Sequence, residues 1–338
     1  MSDINIEWMD RFFSLNSVDQ WKYLFEIIAA DSGKAVGSNV KGWYTSLEEK
    51  VNHIESLIAT SAWDVWRDFH AAPRASQAVI DFWAATSGPK AVLVLDSMSV
   101  REVSPILRDL PKNGLKLVKY WVAGSEIPSD TDRYAAALGL PGRASLKLQK
   151  APASFKLMTG ADTYVDSYQH LPFDECVGRI PTSKNLFIWH GWPDDALHEK
   201  KDAEDAFFRF IEHTDAVIRS AGFGTFLQAI AKGRELLITS DHGYANANDF
   251  QIAPQGDRNN ELRSLGFARY IDTGKLPPST GRTIPPVTLD LQSTSQSKTF
   301  RVAFGKFRPD HKGFPKLIHG GLSLMECCVP LVHVRGSE

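Results

Sequence analysis

Two textures of apolar and polar positions divide the chain. Up to about residue 88 the apolar residues recur at helical spacing: Trp21, Leu24, Phe25 and Ile28 share one face, and Val51, Ile54 and Ile58 share another. Ser17-Val-Asp-Gln20 and Ser46-Leu-Glu-Glu49 precede these faces and carry the capping-box pattern, in which side chains satisfy free first-turn N–H groups. Trp63, Trp66, Phe69, Phe82 and Trp83 continue an aromatic stretch. Such a stripe packs a core more often than it binds a ligand. Ser87-Gly88-Pro89 ends the pattern.

From residue 90 the apolar runs become short, at 91–95, 117–122, 186–189 and 236–239, with helical stretches between them. The clearest of these helices spans about 199–221, where Ala206, Phe207, Phe210 and Ile211 form a stripe. A last strand is expected over 328–334, after a short helix begun near Ser323. This alternation predicts an α/β fold with a mostly parallel sheet and helices on both faces. It sits behind a helical N-terminal region (1–88), and the second unit covers 89–338. A segment at about 245–300, rich in Gly, Pro, Ser, Thr and Asn, is expected to be a loop or cap insertion.

Composition narrows the class. Over 338 residues, 43% hydrophobic and 23% charged positions exclude a disordered or fibrous chain. The balance of 38 Lys+Arg against 40 Asp+Glu excludes a duplex-coating protein, which would be basic overall. Cys176, Cys327 and Cys328 form no C-x-x-C pair, and the last two sit in an apolar run. A reducing compartment without disulfides is expected. The acidic start MSDINIEWMD lacks a signal-peptide pattern. With no apolar run near ~20 residues, the expectation is a cytoplasmic protein that does not enter membranes.

Open parallel sheets bind ligands at the carboxyl ends of their strands. Here the run AVLVL leads into Asp96, LFIW into His190 and then Asp194, and LLITS into Asp241-His242-Gly243. Asp194 and His198 lie four apart, on one face of any helix begun there. Taken singly, Asp96 could be a helix cap, Asp194 and His198 a solvated pair, and His319-Gly320-Gly321 a surface loop. Together, three Asp and three His at strand ends meet the demand of two divalent cations about 3.5–4 Å apart, the arrangement that supports phosphoryl displacement. Mixed Asp/His ligation favours zinc, then manganese, over calcium. A hydroxyl for such chemistry lies in Ile127-Pro128-Ser129-Asp130-Thr131, ahead of a short helix expected at 134–138. Ser129 or Thr131 could serve there, or either could merely cap the helix.

The segments LVLDSMSVREV, IPSDTDRYAAALGLPG, WPDDALHE, LITSDHGY and HGGLSLMECCVPLV together resemble the alkaline phosphatase superfamily, and within it the PglZ domain, over about 75–335. The last two segments are the most specific. The resemblance implies that Asp96, Asp241 and His242 hold one metal together with the hydroxyl of Thr131. Asp194, His198 and His319 would hold the second. Thr131 is preferred to Ser129 because the P-x-x-T arrangement resembles nucleotide pyrophosphatase/phosphodiesterase relatives; Asp194 is preferred to Asp195 by its spacing to His198. The implied activity is a metal-dependent hydrolase, a phosphodiesterase or nuclease acting on oligo- or cyclic nucleotides. A phage-defence or nucleotide-signalling setting, with defence-system protein partners, is implied as well. A monoester phosphatase or a metal-bearing scaffold without catalysis are the alternatives.

Arg143 is a candidate phosphate clamp, and the scarcity of Arg near Thr131 (only Arg133 and Arg143) leans toward a diester. Lys298, Arg301, Lys306, Arg308, Lys312 and Lys316 alternate with Phe300, Phe304, Phe307 and Phe314 just ahead of His319. Lys312 and Lys316 are further phosphate candidates, since basic groups among aromatic faces suit single-stranded nucleic acid. A hairpin over 298–304 with its phenylalanines in the core and its charges facing water is the simpler explanation of the alternation.

Overall fold

A computed structural model describes residues 6–37, 39–146, 150–157, 162–181, 185–201, 205–275, 285–293 and 295–336. The central sheet contains β1 (Lys90–Leu95), β2 (Leu115–Gly124), β3 (Thr163–Tyr168), β4 (Asn185–His190), β5 (Glu235–Thr239) and the last strand, β13 (Cys328–Gly336). Their order is β2-β13-β5-β1-β4-β3, and β13 alone runs against the rest. The apolar runs of β1, β4 and β5 are uninterrupted because both faces of the sheet are covered there, whereas the edge strand β2 leaves Leu117 and Val118 exposed. Leu93, Leu95, Leu186 and Ile188 enter one core; Val92, Val94, Phe187 and Trp189 enter another.

The first of these cores is closed by α5 (Val103–Asp109), α7 (Phe173–Val177), α8 (Asp194–Lys200), α9 (Ala206–Ile218) and α10 (Ala221–Ala231). The second is closed by α4 (Ala75–Ala85) and α6 (Thr131–Ala137). The stretch expected as one helix at 199–221 is thus shared among α8, α9 and the start of α10, with residues 202–204 outside the described part. The helix expected at 134–138 begins earlier, at Thr131.

Ahead of the sheet lie α1 (Ile6–Ser14), α2 (Ser17–Ser32), α3 (Val40–Ser61) and a 3-10 stretch at Trp63–Ala71. Trp21, Leu24, Phe25, Ile28, Val51, Ile54, Ile58, Trp66 and Phe69 are buried in a third core. Neither capping box holds as read. Asn16, one residue earlier, caps α2 by accepting from Asp19 N, and the Ser17 hydroxyl turns to Asp68. Ser46 lies inside α3, which Asn39 caps. Asn is as strong a cap as Ser, so the true cap stands one residue away in one case and about two turns away in the other.

The segment 245–300 carries short elements rather than plain loop: β6 (Ala245–Asn246), β7 (Gln251–Ile252), α11 (Asp257–Ser264), β8 (Tyr270–Asp272), β9 (Thr288–Gln292) and the start of β10 (Thr299–Ala303). β8, β10 and β9 form a small antiparallel sheet. After it come β11 (Phe307–Arg308), paired with β7, then β12 (Leu317–Ile318), paired with β6, and α12 (Leu324–Cys327). Phe300, Val302 and Phe304 point into the third core, where Phe304 meets Trp66 edge-on. All three cysteines are free and buried.

The N-terminal helices are tied to the sheet by charge as well as packing. Arg101, fully buried, donates to Glu48 Oε2 on α3 from Nε (2.8 Å) and Nη2 (2.6 Å), and to the carbonyl of Tyr244 (2.6 Å). One guanidinium thereby joins α3 to the loops that follow β1 and β5. Burial alone would raise the Glu48 pKa, but Arg101 and Lys306 hold it below the ordinary value. The pair's contribution is complete above the unfolded glutamate pKa and is lost as pH falls through the lowered folded one. Removing one partner of a buried pair strands the other charge. Glu48→Ala should therefore destabilise the fold by about 3–5 kcal/mol in urea unfolding at pH 7; a loss under about 1 kcal/mol would show that Arg101 finds other partners.

Candidate metal centre

β1, β4 and β5 end side by side, and the loops after them are stitched by backbone bonds. Asp96 N donates to His190 O (3.0 Å) and Asp194 N to Asp96 O (3.1 Å). Asp96, Asp241 and His242 converge there, fully buried, each offering a ligand atom within 4.8 Å of the others. Asp194, His198 and His319 form a second set meeting the same measure. The two sets abut: the His242 and His319 rings stack at 4.4 Å between centroids, 21° from parallel. All six residues expected from the sequence are therefore gathered in two groups of three. His190 stays out. Its Nε2 bonds Leu171 O and its Nδ1 accepts from Trp192 N, and burial pushes its pKa down to about 4.

Thr131 faces the first group. Its Oγ1 donates to Asp241 Oδ2 at 2.8 Å and lies 3.4 Å from both Asp96 Oδ1 and His242 Nε2. The hydroxyl is free for this because Asp130 performs the capping of α6, accepting from Arg133 N at 2.8 Å. Ser129 is engaged elsewhere: its hydroxyl donates to Gly321 O (2.9 Å) and accepts from Gly320 N (3.1 Å), joining this loop to the one bearing His319. Asp195, the neighbour of Asp194, turns away and accepts from His170 N at 3.0 Å.

The donor set suits a divalent cation in several respects. His242 Nδ1 lies 2.9 Å from Gly243 O; a carbonyl can only accept, so Nδ1 carries a proton and Nε2 is the ring atom turned toward the acids. For Asp194, burial pulls the pKa upward. The hydrogen bond from His198 and the charges of His319 and His242 overcome it, holding this acid down at about 2. For His319, burial first and then His242 push the pKa down to about 4, which leaves its ring neutral at pH 7. Asp194 Oδ1 and His319 Nδ1 are buried without hydrogen-bond partners. Unpaired acceptors of this kind carry a desolvation cost that a metal ion would offset.

Two supporting residues, Ser97 and Gln169, carried no signal in the sequence. Ser97, at φ 62°, donates its backbone N–H to Asp241 Oδ1 at 2.9 Å. With its amide oxygen toward the site, Gln169 accepts from Arg143 Nη2 at 2.8 Å. Arg143 reaches the site and pairs directly with Asp96. The role of Gly243 is close approach rather than a tight turn, since a Cβ there would sit 2.2 Å from Met325 O. The H-G-G-x-S-x-x-E pattern also has a physical basis. Glu326 accepts from Gly321 N (2.9 Å), Ser323 Oγ (2.6 Å) and Arg269 Nε (3.1 Å), and a Cβ on Gly321 would collide with that guanidinium. Lys312 and Lys316 are not in these groups; with Arg308 and His311 they line a separate cavity of about 410 Å³.

No family model and no curated protein sequence matches the chain. Among solved structures it is similar to murine ectonucleotide pyrophosphatase/phosphodiesterase 5. An inactive variant of that protein in complex with AMP matches at TM-score 0.42 and 11% identity, over 74% of this chain and 88% of the other. A second structure of the same protein matches at TM-score 0.42 and 12% identity, over 73% and 88%. The PglZ resemblance rests on its own motifs. No helix among the described residues is long and apolar enough to cross a membrane.

Calorimetric titration of the purified, chelator-treated protein with Zn²⁺ or Mn²⁺ should give two sites per chain. Asp194→Asn should remove one of them and spare the other. Saturation at 100 times Kd should stabilise the fold by about 2.7 kcal/mol for each site filled. A chain that takes up neither ion overturns the assignment.

Proposed function

We propose that the chain is a phosphodiesterase of the alkaline phosphatase superfamily, PglZ-like in its motifs, with Thr131 as nucleophile and oligo- or cyclic nucleotides as substrates. The observation that carries this reading is the place of Thr131 Oγ1, within 3.4 Å of Asp96, Asp241 and His242 and beside a second Asp/His/His group. One hydroxyl among two such groups has no structural need met by its position, since Asp130 already caps the helix. Asp96, Asp241 and His242 would hold one ion; Asp194, His198 and His319 would hold the other. Zinc is the first candidate and manganese the second. Bound there, two divalent cations would supply the positive charge that lowers the pKa of the nucleophile and steadies the leaving oxygen.

The chain's own residues set the remaining terms. Thr131 Oγ1, its pKa lowered, gives up its proton to solvent and attacks phosphorus; an Oγ–P bond forms, the bond to the leaving oxygen breaks, and that oxygen takes a proton from solvent to leave as the alcohol. Water then cleaves the Oγ–P bond, restoring the threonine. Arg143 swings between Asp96, which it pairs in this structure, and a non-bridging oxygen of the substrate. A diester brings one negative charge fewer than a monoester, in keeping with this single arginine. A role in phage defence or nucleotide signalling follows from the resemblance alone.

Bis-p-nitrophenyl phosphate with added Zn²⁺ or Mn²⁺ tests the reading. Thr131→Ala should lower kcat/KM by on the order of 10³-fold or more while metal content is retained. Turnover within a few-fold of the parent would refute Thr131 as nucleophile, and a preference for p-nitrophenyl monoester would make the protein a phosphatase instead.

A further inference from the structure

The basic stretch ahead of His319 divides into two parts with different fates. Its first half is neutralised within the fold: Lys298 pairs with Asp272 (3.5 Å), Arg301 with Asp290 (2.8 Å) and Lys306 with Glu48 (3.3 Å). Its second half lines the cavity of about 410 Å³ formed by Arg308, His311, Lys312, Gly313, Phe314 and Lys316. The acid inside this half, Asp310, accepts from Gln255 (2.7 Å) and takes no lysine or arginine of the cavity. Arg308 Nε is buried without a hydrogen-bond partner. At the rim Phe267 is 51% exposed, with His311 edge-on at 5.1 Å and Phe314 at 6.0 Å. A solvent-facing aromatic ring among unneutralised cations is the composition that holds stacked bases and their phosphates.

The backbone fixes how far this cavity lies from the metal centre. Lys316 N donates to the carbonyl of Lys201, the residue that closes the helix carrying Asp194 and His198, and Lys316 O accepts from Ala247 N; both bonds are 2.7 Å. From Lys316 the chain runs through β12 directly to His319. Three residues of strand span about 10 Å, against a rise of about 3.4 Å per nucleotide along a stacked strand. A group bound among the six Asp and His residues is therefore about three nucleotides from the cavity.

We propose that this cavity is a distal phosphate-and-base subsite, and that the substrate is a linear single-stranded oligonucleotide long enough to occupy both places. The inference rests on the phosphodiesterase reading and narrows it: a cyclic mononucleotide or a dinucleotide at the metal centre leaves Arg308, Lys312 and Lys316 without a ligand.

Two measurements separate this inference from the reading beneath it. Binding of a fluorescent hexathymidylate to metal-loaded Thr131→Ala is followed by anisotropy over a range of salt. Adding Lys312→Ala and Lys316→Ala should reduce the slope of log Kobs against log salt by about 1.4, or about 0.7 for each phosphate no longer neutralised. Lys312→Ala alone, at an exposed position, should give half that change. In the otherwise native enzyme, the same pair should lower the ratio of kcat/KM for a hexanucleotide over a dinucleotide by about tenfold. An unchanged slope and an unchanged ratio overturn the subsite. A changed slope in a protein that cleaves no phosphodiester keeps the subsite and overturns the activity.

Discussion

Three carboxylates brought to one end of a sheet repel one another, and the architecture around β1, β4 and β5 is organised by the need to hold them there. Asp96 and Asp241 have no access to water, and Asp194 has little. In a medium of low dielectric such a cluster forms only if donors or cations face it. The chain supplies Arg143 on Asp96, the Ser97 backbone N–H and the Thr131 hydroxyl on Asp241, and His198 on Asp194. These donors come from four segments far apart in sequence, so the site exists only once the whole sheet is assembled.

Behind the cluster, two buried arginines hold the loops in place. Arg101 binds the β1 and β5 loops to Glu48 of α3, while Arg269 binds the His319 loop through Glu326. Each guanidinium has a carboxylate and at least one backbone carbonyl around it, the condition under which a buried ion pair is tolerable. The N-terminal helices thus contribute to the geometry of the site without carrying any of its residues.

β1, β4 and β5 were legible in the sequence because strands buried on both faces leave apolar runs, and Asp96 and Asp241-His242, which end such runs, stand out. β3, with its polar Asp166 and Ser167, was not, and Asp194, His198 and His319 were legible only through the D-x-x-x-H spacing and the resemblance. Helix starts were less legible. Asn16 and Ser17 are comparable caps, and only the partner of Ser17, Asp68, decided between them. The basic stretch was legible in part: Phe300 and Phe304 lie in the core, as the hairpin reading has it, but the partners of its charges were not. Lys298, Arg301 and Lys306 find acids at Asp272, Asp290 and Glu48, and no local reading can anticipate an ion pair formed 258 residues away. Gln169 and the carbonyl of Gly243 gave no signal at all, since an amide beside an arginine and a peptide oxygen beside an imidazole are products of tertiary approach.

The way this chain treats its other buried acids sets the candidate metal centre apart from them. Glu55 and Glu102, also encased, are pushed up to about 7 by burial, so protonation relieves much of their cost near neutrality. Glu48 keeps its charge, but against Arg101 and Lys306. Asp194 is held at about 2 with a hydrogen bond from His198 on Oδ2, while its Oδ1 makes no hydrogen bond. His319 beside it is kept neutral at about 4 and cannot complete the pairing at pH 7. An acid that stays ionised thus stands next to a histidine that stays neutral at pH 7. That combination is the protonation state in which both side chains offer lone pairs to a cation. The group of Asp194, His198 and His319 is therefore a candidate cation site by its protonation states as well as by its geometry.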